Sequence, residues 1–132
     1  MTDELYGYLY VGRILTTSLD QAVEKIFIPE VENRAEVTGW IWDREKGPYI
    51  FIAQYLEGNG ENIEMIINTS KQQWNFISFH EIMKKPIERR SCQKYTYEPE
   101  DGWELSRCEN LSSEEKSALQ NFIWYVSSVC VR

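Results

Sequence analysis

Histidine occurs once in this chain, at His80, and cysteine three times, at Cys92, Cys108 and Cys130. One imidazole and no Cys-x-x-C pair leave a zinc site short of ligands, and an odd number of thiols excludes a fully paired disulfide framework. A Cys92–His80 catalytic dyad is conceivable, but neither residue stands in a nucleophile signature, and the thiols read as structural ones in a reducing compartment. Cations are scarce too: 14 Lys and Arg face 21 Asp and Glu, for a net charge of −7. That field repels phosphate backbones and anionic membrane surfaces, so nucleic acid is not an expected partner. No stretch approaches the ~20 apolar residues of a membrane-spanning helix. The opening Met1-Thr2-Asp3-Glu4 is acidic where a signal peptide is basic and then apolar, so an intracellular location away from membranes is expected. A glycine-rich phosphate loop with a basic residue is also missing, which argues against an acylphosphatase-like or other phosphate-handling enzyme.

What the chain does have is aromatic mass. Five Trp and 8 Tyr sit in 132 residues that are 42% hydrophobic, enough for one domain, taken as 1–132, to bury a core. Leu5 to Val11 alternates with period two, putting Tyr6, Tyr8 and Tyr10 on one face and Leu5, Leu9 and Val11 on the other. A helix follows, capped by Thr17 or Ser18, carrying Leu19, Ala22, Val23, Ile26 and Phe27, and stopped at Pro29. Val37 to Trp42 and Tyr49 to Leu56 form a hairpin about the turn-forming stretch Asp43 to Pro48. Ile63, Ile66 and Ile67 mark a second helix fading near Ser70, and Phe76 to Met83 reads as a further strand closed by Pro86.

The order β-α-β-β-α-β is that of a ferredoxin-like α/β (α+β) fold, an antiparallel sheet with both helices on one face. Residues 92–111 read as a loop with a short strand at Tyr95 to Tyr97, so the sheet core spans about 5–97. Ser112-Ser113-Glu114-Glu115 is a capping box, opening an amphipathic helix of about 112–130 through Ala118, Leu119, Phe122, Ile123, Val126 and Val129. That helix is expected to cover part of the open sheet face.

Val37-Thr38-Gly39, Gln54-Tyr55-Leu56-Glu57-Gly58 and Pro86-Ile87-Glu88-Arg89-Arg90 resemble, in order, three landmarks of BLUF domains, the blue-light sensors using FAD. The resemblance runs over about 5–90. It implies the family's sheet and a flavin beside one tyrosine and one glutamine, which fall on Tyr10 and Gln54. The family's light reaction moves an electron and a proton from that tyrosine, and the glutamine rearranges its hydrogen bonds.

Several flavin-holding positions differ. Gly12 replaces the serine of the family's Tyr-x-Ser. Glu32 stands where an asparagine pairs with the flavin ring, and a carboxylate has no N–H to give; Asn33 lies one residue on. Ser70-Lys71-Gln72-Gln73 replaces Asp-x-Arg-His, turning two basic ligands into the amides Gln72 and Gln73, while Arg89 and Arg90 follow the family. Tyr95 and Tyr97 stand about where its tryptophan and methionine would fall. The expectation is a flavin-free regulatory or protein–protein interaction module, not an enzyme, with a divergent FAD-binding photoreceptor as the alternative.

Such a module would bind through aromatics. Trp40, Trp74, Trp103 and Trp124 are candidate surface anchors. Trp124 and Tyr125, beside the core-facing Phe122 and Ile123, widen the C-terminal helix's apolar band, which suggests a homodimer interface. The competing expectation packs both within the monomer, against the loop 92–111. The tyrosines of the first strand likewise have a purely structural reading, packed beneath the C-terminal helix.

Overall fold

The computed structural model describes residues 4–15, 37–98 and 109–129. The expected first helix from Thr17 or Ser18 to Pro29, together with Glu32, Trp103, Cys108 and Cys130, lies outside them. Five strands form one sheet: β1 (Leu5–Leu15), β2 (Thr38–Lys46), β3 (Tyr49–Asn59), β4 (Ser78–Pro86) and β5 (Tyr95–Glu98), in the order β4-β1-β3-β2-β5. β1 pairs antiparallel with β3 and β4, β2 antiparallel with β3, and β5 joins β2 in parallel. The helices are α1 (Gly60–Trp74) and α2 (Ser113–Ser128). No helix among the described residues is long and apolar enough to cross a membrane.

The period-two pattern sorts the core into two layers. Tyr8, Tyr10 and Ile14 of β1 and Ile50, Ile52 and Leu56 of β3 meet Ile63, Ile66, Ile67 and Trp74 of α1 on one face. Leu9, Val11, Phe51, Ala53 and Tyr55 meet Leu119, Ile123 and Val126 of α2 on the other. Each large apolar side chain so buried contributes roughly 1.5–3 kcal/mol. The first-strand tyrosines therefore pack toward α1, not under the C-terminal helix.

Other boundaries also depart from expectation. α1 runs to Trp74 because that ring is fully buried; Asn75, left-handed at φ 49°, then ends the helix. Phe76 stays outside β4, which begins at Ser78 and ends on Pro86, a residue tolerated there because β4 is an edge strand. The β2–β3 hairpin closes on Gly47-Pro48 alone, since Lys46 pairs with Tyr49. α2 carries the complete capping box at Ser112 and Glu115 and stops at Ser128. Trp40 and Trp74 are buried, so neither is a surface anchor, whereas Trp124 is 64% exposed.

Candidate functional site

Tyr10 and Gln54 are direct partners in the β1–β3 register, and both point toward α1. Cross-strand neighbours approach closely enough to bond. The Tyr10 hydroxyl donates to Gln54 Oε1 at 2.6 Å, and both residues are fully buried. Gln54 Nε2 in turn donates to the Tyr95 hydroxyl at 2.8 Å. β5 lies beyond β2, so Tyr95 reaches Gln54 across β2, where its register partner is Gly39.

Rings enclose the tyrosine. Phe79 stacks on Tyr10 with centroids 4.5 Å apart, and Phe76 meets it edge-on at 5.7 Å. Phe76 also occupies the space a side chain at residue 12 would need: a Cβ on Gly12 would lie 2.8 Å from its ring and 2.7 Å from the Ser78 carbonyl oxygen. Burial holds the Tyr10 hydroxyl well above its ordinary pKa, reinforced by Tyr95 and Tyr8 and slightly opposed by Ser70. Tyr8 is likewise raised, by burial first and then by its bond to the Glu81 carboxylate.

The altered family positions separate. Ser70 is buried and its hydroxyl donates to the Ile66 carbonyl at 2.9 Å. Lys71 lies over the Phe79 ring at 4.3 Å, and Gln72 is exposed on α1. The Gln73 side chain and Glu32 fall outside the described atoms. Arg90 Nη1 donates to Thr38 Oγ1 at 2.8 Å and to the Glu57 carbonyl at 2.9 Å, while Arg89 stands exposed beside Glu109.

Three residues on from Gln54, β3 turns a second polar group to the opposite face. Glu57 is fully buried and receives the Tyr55 hydroxyl at 2.6 Å, the Ser91 amide and hydroxyl, the Cys92 amide and Asn110 Nδ2 at 2.7 Å. Burial alone would raise its pKa, but these donors, Tyr55 and Ser91 foremost, outweigh it and hold the carboxyl below its usual range. This cluster ties residues 90–92 and the approach to α2 onto β3. Sequence reasoning used Glu57 only as a landmark; an acid two residues from Tyr55 on a strand's inward face was the available signal. It likewise weighed Tyr95 for volume and missed its bond to Gln54. Cys92 joins this cluster, while His80 is exposed on the edge strand β4. Among the described residues no group of His, Cys, Asp and Glu is placed to hold a metal ion.

No family model and no curated protein matches the sequence. Solved structures do match its shape. The dark-state structure of the BLUF protein BlrB superposes with a TM-score of 0.61 at 16% identity, covering 98% of this chain and all of that one. Photo-activated BlsA gives 0.62 at 14% identity over 97% of this chain and 99% of its own. The BLUF structure of BlrP1, a Klebsiella pneumoniae protein, gives 0.62 at 17% over 93% and 92%. In a bacterial light-regulated adenylyl cyclase the matching part is 34% of that chain. An acylphosphatase from Bacillus subtilis matches less well, with a TM-score of 0.52 at 11% identity over 71% of this chain and 98% of its own. The strand order, the helix on each face and these superpositions together establish that the chain has the BLUF-type fold, a ferredoxin-like sheet with an added C-terminal helix.

Proposed function

We propose that this chain is a flavin-free member of the BLUF fold that works by contact with other protein. The observation that carries the reading is the engagement of both ends of Gln54 by protein: its carbonyl accepts from Tyr10 and its amide donates to Tyr95, inside a layer where all three side chains are buried. Only one N–H and one lone pair of the Gln54 carboxamide are left for a flavin, and a flavin that displaced Tyr10 or Tyr95 would leave a buried hydroxyl to be paired again. The surrounding residues fit a flavin poorly. Phe76 and Phe79 fill the space beside Tyr10, Gln72 faces solvent, and Arg90 is committed to Thr38 and the Glu57 backbone. With a net charge of −7, the chain offers little else to an anionic dinucleotide.

The hydrogen-bonded Tyr10–Gln54 pair favours a second reading, a divergent FAD-binding blue-light receptor. The visible absorption spectrum of the purified protein separates the two. A colourless protein that gains no stoichiometric flavin on addition of FAD supports the contact module. A yellow protein whose spectrum shifts to the red under blue light, with the shift lost in Tyr10→Phe, supports the receptor and refutes the first reading.

A further inference from the structure

We propose that the end of the sheet on the α2 side, where Arg13, Arg44 and Lys46 stand together, docks an acidic segment of a partner protein. The inference rests on the protein-contact reading above and gives the partner its chemistry. Register builds the patch from three strands. Phe51 of β3 pairs with Arg13 of β1 and with Arg44 of β2, and in the next row Tyr49 pairs with Leu15 and Lys46. Directly paired residues share a face, and Phe51 lies in the α2-side core, so both rows turn to that face. The Arg13 guanidinium lies over the Tyr49 ring at 4.6 Å and that of Arg44 over the Trp42 ring at 5.2 Å. A ring takes the flat face of a guanidinium, and the N–H donors lie in its edge, the part that grips a carboxylate. Arg13 Nε is buried with no acceptor among the described residues, a costly state until an acceptor arrives.

Charge selects the occupant. Asp43 and Glu45 alternate to the α1 side, paired with Ile52 and Ile50, so no carboxylate shares these two rows of β1, β2 and β3. α2 meets the first row through Phe122 and Tyr125, edge-on to Phe51 at 6.3 and 6.1 Å, and from Ser117 to Ser128 it carries no charged side chain. A chain of net −7 thus gathers three cations on one face, where an acidic partner is attracted although the overall field repels it. A neutral partner would bury the guanidinium groups without compensation, and a basic one would be repelled. Nucleic acid is the weaker match, because Phe51 and Trp42 are buried and bases cannot stack on them. Two strand spacings, about 10 Å, separate Arg13 from Arg44. An extended segment rising ~3.1 Å per residue with three residues to a turn presents every third side chain on one side, so carboxylates at that spacing reach both guanidinium groups. Tyr125 and Leu15, both exposed, offer apolar surface beside them.

The test is fluorescence anisotropy of the full chain with a labelled peptide carrying glutamate at every third position, separated by serine and leucine. The expected result is saturable binding that weakens as salt is added. Arg13→Glu and Lys46→Glu should each weaken it about tenfold, whereas Lys71→Glu, the same charge change on the exposed surface of α1, should leave it within about twofold. Thermal midpoints are measured alongside; if Arg13→Glu lowers its own, Lys46→Glu decides. A peptide that does not bind the wild type, binding that Lys46→Glu leaves intact, or an equal loss in Lys71→Glu overturns the proposal. Tighter binding of an oligothymidylate of the same charge overturns it too, by making the patch a nucleic-acid site. A colourless protein that ignores the peptide would refute this inference alone, whereas a yellow, light-responsive protein would refute the functional reading beneath it.

Discussion

Gln54 is a polar residue inside a β-strand that the strand itself cannot satisfy, because the backbone ladder is already paired on both sides. Its partners come from two other strands, and the hydrogen bonds join the three side chains in a row, Tyr10 to Gln54 to Tyr95. Tyr95→Phe removes one acceptor and leaves Gln54 Nε2 buried and unpaired, so it should cost about 1–3 kcal/mol in urea denaturation. Replacing all three, with Tyr10→Phe, Gln54→Leu and Tyr95→Phe together, removes the polar groups along with their bonds. The triple variant should lose distinctly less stability than the sum of its single changes. Additive losses would show that the three side chains do not act as a unit.

β2 is the element on which the arrangement turns. It must carry Trp40 and Trp42 into the layer beneath α2, and still let Tyr95 cross its other side to reach Gln54. Gly39 lets β2 lie against the β3 backbone: its φ is 145°, and a Cβ there would stand 1.9 Å from the Tyr55 carbonyl oxygen, which no relaxation of a flexible side chain can relieve. Gly39→Ala should therefore destabilise by more than ~1 kcal/mol, read as a lower denaturation midpoint. A variant as stable as wild type would mean that β2 shifts freely against β3. The two-sided load on β2 also explains why the Val-Thr-Gly landmark coincides with a structural demand. Thr38 accepts from Arg90, Val37 packs in the α1-side core, and Gly39 lets β2 approach the β3 backbone at Tyr55.

At the scale of the whole molecule, two glutamates among the described residues link the α2 side to the sheet. Glu57 gathers residues 90–92 and Asn110, and Glu115 bonds Lys85 of β4 at 2.7 Å while completing the α2 cap. Burial opposes ionisation at both, yet their donors prevail and both pKa values lie below the ordinary 4.5. A carboxyl depressed in the folded state contributes stability that is fully present above its unfolded pKa and is lost as pH falls through the folded one. Stability should therefore be flat near neutrality and decline below about pH 4.5, measured by denaturation at a series of pH values. Glu57→Gln should lower stability at pH 7 and shallow that acid decline, leaving the part due to Glu115. An acid decline as steep in Glu57→Gln as in wild type would remove Glu57 from this role.

Local physics was enough for much of this architecture. Period-two alternation in 5–11 and 49–56, the β-branched and aromatic run at 37–42, and the Ser112–Glu115 capping box depend on neighbours within a few residues, so the sequence alone determined β1, the β2–β3 hairpin and the capped start of α2. It also determined that Tyr6, Tyr8 and Tyr10 share one face of β1, since side-chain direction follows strand position, but not which helix covers that face. What only the tertiary structure decided were meetings between distant segments. Tyr95 on Gln54 lies 41 residues away in the chain, and Asn110 on Glu57 lies 53. The burial of Trp40 and Trp74, and the exposure of Trp124, belong to the same class. A tryptophan carries the same apolar surface wherever it stands, and only the arrival of another element on that surface removes it from water.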